Sequence, residues 1–226
     1  MGATGVGDDV RTAALAAGYS PAAEAGGEGP LRLAALSPPR LMAWARALAE
    51  LHALAPPDGL PPAPLPDWVA TVAQPWPVDV APLLAQAAWV GPQPGASSVA
   101  GGLRLCHRRW WLRHVRFAGE ALACVGGWAA AGLGDPAGDL ASVEVGLVAD
   151  GASAAAAESF GAAFTAAYTE AGGRPPRGLG AWRLALAGEQ LAAALDARER
   201  GERGRMAGSV ALWARLLGRL LTQRRD

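Results

Sequence analysis

Between Leu103 and Cys124 the apolar pattern of this chain changes period. On either side of the segment, apolar residues recur at helical spacing; within it they alternate. Leu103 and Leu105 flank Arg104, Val115 and Phe117 flank Arg116, and Leu122 and Cys124 flank Ala123. A period of two sends neighbouring side chains to opposite faces, so these are short strands, the last two a hairpin through Ala118-Gly119-Glu120. The order of helices, a small hairpin and helices again predicts a mainly α fold with a small β-hairpin insert, an α+β arrangement.

The flanking helices have readable ends and faces. Ser37 caps a helix over Ser37–Leu54 and Pro38 fits its first turn. Leu41, Trp44, Leu48 and Leu51 share one face, and His52 packs or caps at its end. Pro56–Pro66 is a proline-rich connector. Helical segments follow over Trp68–Ala73 and Val80–Val90, and Gly91–Gly102 reads as a loop. Asp135 caps a helix that begins at Pro136. Three further faces come later: Phe160, Phe164 and Tyr168; Trp182, Leu184, Leu191 and Leu195; Val210, Trp213, Leu217 and Leu220. Residues 1–30 are rich in Gly and Ala with little periodicity.

Composition narrows the function classes. Acidic and basic residues number 20 each, so no broad field steers the chain toward nucleic acid or a membrane. Every basic residue is arginine: the sequence contains no Lys, no Asn and no Ile. No lysine can therefore pair with nucleotide phosphates, and no asparagine can hold a metal. Two cysteines, Cys106 and Cys124, make no disulfide framework, which points to a reducing, cytoplasmic setting. The first residues lack the pattern of a signal peptide. Prolines and glutamines break the uncharged stretch Val80–Leu103 as a membrane helix.

The segment from Leu105 to Ser142 reads LCHRRWWLRHVRFAGEALACVGGWAAAGLGDPAGDLAS. It resembles the catalytic segment of the aminoglycoside and small-molecule phosphotransferases, relatives of the protein kinases. There a CH-[GR]-D-L-x-P-x-N motif precedes a hairpin, then D-W and G-D-P-x-x-D-L-A. The run ALAELHAL, Ala47–Leu54, matches the end of a preceding helix in that family. The resemblance covers about 30–221 and implies a protein-kinase-like C-terminal lobe over 31–226. Residues 1–30 are then a leader or the remnant of a largely missing N-terminal lobe.

The resemblance also assigns positions. Arg109 stands where the family has its catalytic Asp, His114 where it has a metal-binding Asn, and Gly127 where it has a metal-binding Asp. The family uses ATP and Mg, and phosphoryl transfer rests on a carboxylate orienting the hydroxyl and on metals neutralising the phosphates. A guanidinium accepts no proton, a glycine offers no ligand oxygen, and an imidazole suits Zn or Cu better than Mg. No cofactor or metal is expected. His107 and Asp139 are expected to brace the loop. Cys106, His107, His114 and Cys124 fit no common zinc spacing.

These substitutions imply a non-catalytic member of the family, a pseudoenzyme. The alternative is a weak or altered ATP-dependent phosphotransferase acting on a small-molecule hydroxyl, completed by a separate N-terminal lobe. Arg108, Arg109 and Arg113, with Arg104 and Arg116 nearby, offer forks that match phosphate oxygens. The partner is then an anionic small molecule or another protein. Solvent-facing arginines are the plain reading of the same cluster. Trp110 and Trp111 either fill the emptied site or meet a partner.

Overall fold

The computed structural model describes residue 33 and residues 36–56, 80–90, 103–202 and 209–223. Residues 1–30, the helix expected over Trp68–Ala73, the loop Gly91–Gly102 and nearly all of the proline-rich connector lie outside the described residues. The chain divides into two compact units, 1–63 with 98–177 and 64–97 with 178–226.

In the first unit, α1 (Pro38–Ala53) starts where the sequence places it. Ser37 is extended and its hydroxyl accepts the N–H of Arg40, with proline entering the first turn. Its apolar face is buried along Trp44, Leu48 and Leu51. Trp44 meets the edge of Phe164 at 4.7 Å between ring centroids. That contact seats α1 on α4 (Ala154–Glu170). Between them in sequence, α3 (Pro136–Ala149) is capped by Asp135, whose carboxylate accepts the N–H of Ala137. Nearly every residue of α3 is buried, including Val143, Val145, Leu147 and Val148, so it is the central rod of this unit.

Among the described residues, four short strands complete it. β2 (Val115–Ala118) and β3 (Ala121–Val125) form the expected hairpin, closed by Gly119-Glu120 with Gly119 at φ +61°. A register shift falls between Arg116 and Phe117. Val115 and Phe117 are buried; Leu122 and Cys124 are only half-buried, and Val125 supplies the buried position of β3. β1 (Arg104–Cys106) does not join that hairpin. It pairs antiparallel with β4 (Gly132–Gly134), Leu105 opposite Leu133. The sequence hides β4, since Gly-Leu-Gly shows no alternation.

The second unit is helical among its described residues. α2 (Ala81–Val90), α5 (Leu179–Glu199) and α6 (Val210–Gln223) pack together. α5 buries Trp182, Leu184, Leu191 and Leu195, the face expected. On α6 the buried set is Trp213, Leu216, Leu217 and Leu221, with Leu220 half-buried instead. Spacing of three, four and eight residues from Trp213 keeps those four on one face of a 3.6-residue helix. No described helix is long and apolar enough to cross a membrane.

Candidate functional site

The site grows from one carboxylate. Asp139 lies in the first turn of α3 and is fully buried. One oxygen, Oδ2, accepts the backbone N–H of His107 at 2.8 Å and faces His52 Nε2 at 3.0 Å. The other, Oδ1, accepts the backbone N–H of Arg108. Burial alone pushes the carboxyl up. The bond from His52, the His52 and His107 imidazoles and the His107 amide outweigh it and hold the carboxyl below its ordinary value. The helix N-terminus favours the anion as well. Arg108, bound this way, has φ +70°, the left-handed region that side chains other than glycine avoid at about 1 kcal/mol.

The same network reaches further. His52 ends α1, and its Nδ1 lies 2.9 Å from the hydroxyl of Tyr168 on α4. The Tyr168 phenol is itself bonded by the backbone of Arg174, and burial raises its pKa. Ser142 donates to the Asp139 carbonyl and accepts the Trp110 N–H, both at 2.8 Å. The sequence placed His52 at a helix end without joining it to Asp139. The signal was there: His52 follows Leu48 and Leu51 on one face, and a polar group on a buried face needs a partner.

His52, Cys106 and Asp139 bring ligand atoms within 4.8 Å of one another. Their chemistry is that of a hydrogen-bonded core rather than a cation site. Both nitrogens of His52 and both oxygens of Asp139 are already engaged. Burial pushes the Cys106 thiol well up, away from the thiolate a soft metal needs.

The loop that follows β1 is clasped by the other two histidines. His107 Nε2 donates to the Gly126 carbonyl at 2.8 Å, and its Nδ1 accepts the Arg109 N–H at 3.3 Å. Burial lowers its pKa to about 4, so the ring is neutral. His114 Nδ1 donates to the Arg109 carbonyl at 2.9 Å, and burial lowers its pKa too. All three histidines of the chain therefore serve this one loop.

His114 also occupies the ground beside Gly127. Gly127 has φ +79°, and a Cβ built there would lie 2.6 Å from His114 Nδ1. The imidazole is stacked on Trp111, 5.7 Å between centroids with planes 13° apart. Trp111 in turn lies on Gly146 of α3, where an added Cβ would fall 2.5 Å from its ring. Trp110 is fully buried with its edge to His107, and Trp128 also meets that ring edge-on, at 4.6 Å. Trp111 thus fills space inside the fold; it is 7% exposed.

The arginines are spread around this packing. Arg113 reaches Asp150 at 3.2 Å and covers the Trp111 ring at 3.9 Å. Arg116 donates to the carbonyls of Arg113 and Val115. Arg109 is exposed, 5.7 Å from the Trp111 ring. The Arg108 guanidinium lies near Gly134.

This donor set does not fit a magnesium–nucleotide centre. A hard cation needs oxygen ligands. Gly127 has no side-chain oxygen, and the space a side chain would take there holds an imidazole. Arg109 has no basic lone pair.

No family model matches the chain, and no curated protein matches it in sequence. Solved structures do. A type I macrolide 2'-phosphotransferase aligns over 78% of this chain and 59% of its own, with 21% identity and a TM-score of 0.53. A thermostable mutant of aminoglycoside phosphotransferase APH(4)-Ia aligns over 82% and 65%, with 18% identity and a TM-score of 0.55. A Ralstonia eutropha protein described among the aminoglycoside phosphotransferases covers 88% and 71%, at 16% identity and a TM-score of 0.62. The chain spans less than two thirds of the length of the first two. Mostly helical with small antiparallel sheets, it has the kinase-like fold of the aminoglycoside and macrolide phosphotransferases.

Proposed function

We propose that this chain is a non-catalytic relative of the small-molecule phosphotransferases, a lobe kept for its shape and contacts rather than for phosphoryl transfer. The observation that carries the reading is the His114 imidazole over Gly127. By resemblance, those two positions hold the metal ligands of the family. Here they hold each other, and the ring is tied to the Arg109 carbonyl. Arg109, at the position of the catalytic carboxylate, is a permanent cation. Loss of groups that act as one unit is not additive; any one of these replacements removes an ordinary mechanism.

An anionic small molecule or a protein is the ligand class that suits such a surface, because an arginine fork matches phosphate oxygens without a metal. Exposed charge pairs are screened by salt, so anion binding through arginine should weaken as salt rises.

Purified protein melted with ATP, in Mg and in EDTA, tests the reading. The expected result is no Mg-dependent stabilisation and no transfer of the γ-phosphate to hydroxyl acceptors. A shift that persists in EDTA, falls with salt and is lost in the Arg109→Ala/Arg113→Ala variant places the anion on the arginines. Mg-dependent turnover, abolished in His114→Ala, would overturn the proposal in favour of an altered phosphotransferase.

A further inference from the structure

The loop that carries Arg109 is held from a distance. Its left-handed turn at Arg108 is fixed by two amides on Asp139, and Asp139 is oriented by His52. A carboxylate accepts only, so His52 Nε2 carries the hydrogen toward it. In the neutral ring His52 Nδ1 then accepts, and Tyr168 Oη–H is the donor 2.9 Å away. The phenol oxygen in turn receives the Arg174 amide. Gly173 lies against the Tyr168 ring, so close that a Cβ there would fall 2.3 Å from it. The hydrogen bonds run in one direction, from the turn after α4, through Tyr168 and His52, to Asp139. They set which tautomer His52 adopts.

We propose that Tyr168 is a positioning residue: acting through His52 and Asp139, it holds the 107–109 loop in its left-handed turn and couples that loop to the turn after α4. Tyr168, His52, Asp139 and His107 are all buried, and the chain joins α4, α1 and α3 to the end of β1. A buried, fully bonded network specifies one arrangement, because any alternative strands a donor or an acceptor. The turn at 171–174 is therefore a remote handle on the loop. Whatever moves the Tyr168 phenol releases the His52 tautomer and, with it, the hold on the His107 and Arg108 amides.

The test is Tyr168→Phe, which deletes one hydroxyl and keeps the ring. Histidine nitrogen chemical shifts report the His52 tautomer, and amide hydrogen exchange reports His107 and Arg108. The expected result is a mixed His52 tautomer and at least tenfold faster exchange at those two amides, with β2 and β3 unchanged. Gly173→Ala, which crowds the ring directly, is expected to do the same with the hydroxyl present. An unchanged tautomer with unchanged exchange would overturn the proposal. So would a uniform rise that includes β2 and β3, since that reports lost global stability rather than positioning.

Discussion

Two regions of the first unit sit side by side and differ in kind. Around Asp139, buried polar groups meet in a closed network: each oxygen has a donor, and His52 and Ser142 are bonded on both sides. Around Arg109, His114 and Gly127, space is filled instead by rings, and the Nε1 groups of Trp110 and Trp111 are buried with no hydrogen-bond partner. A buried unsatisfied donor costs about 1–3 kcal/mol. The first region is a bonded polar cluster; the second is packed by rings. The loop is held from behind, by side chains of α1, α3 and α4.

The sharpest way to break that contrast is to remove its centre. Asp139→Ala strands two backbone amides and the His52 Nε2–H in a buried place, and breaking such a charged cluster costs ~3–5 kcal/mol. Urea unfolding should show that loss; a change below about 1 kcal/mol would mean the two regions are not held differently.

Acid should weaken the clasp next. The folded pKa of His107 lies at about 4, below the ordinary 6.5. Between those values the unfolded chain takes a proton that the folded chain refuses. Stability is therefore full above pH 6.5 and falls as pH drops toward 4, by about 3 kcal/mol at ~1.4 kcal/mol per pH unit. His114 adds to the loss in the same direction. Asp139, whose pKa is depressed, adds its share only below its ordinary 3.8. Denaturation midpoints from pH 8 to pH 4 give the slope, and His107→Gln should flatten it.

The packing on α3 should be the next most sensitive. Gly146→Ala drives a methyl into Trp111, and overpacking of this kind costs about 1–3 kcal/mol. Trp111→Leu in the same chain should recover part of that cost. The smallest effect belongs to the surface: Arg113→Ala removes a partly exposed ion pair with Asp150 and a cover over Trp111, together about 1 kcal/mol or less.

Much of this architecture was legible before any coordinates. The Ser37 and Asp135 caps, the hairpin at Gly119 and the face of α5 follow from local rules, since capping, turn chemistry and periodicity act over a few residues. β4 was not legible, because Gly132-Leu133-Gly134 owes its strand to a partner 28 positions away in Arg104–Cys106 rather than to its own pattern. On α6, Leu221 rather than Leu220 is buried because one residue turns a helix by a quarter of its circumference. In the candidate site, motif spacing singled out His107, Arg109, His114, Gly127 and Asp139. It gave no hint that His114 lies on Gly127, or that Tyr168 meets His52. Those contacts join residues 13 and 116 positions apart, a distance at which sequence pattern carries nothing.

The most direct test of this packing is a double-mutant cycle between His114 and Gly127. Gly127→Asp places a carboxylate where, by resemblance, the family has one, His114→Ala vacates the ring, and unfolding free energies are measured for both single variants and the pair. The left-handed backbone strain at 127 persists in either background, so it cancels from the coupling. If the imidazole holds that space, Gly127→Asp should be costly alone and cheaper by ~1–2 kcal/mol once His114 is Ala, within the range found for residues in contact. Costs that simply add, to within ~0.5 kcal/mol, would contradict it and leave the site open to a metal-binding side chain.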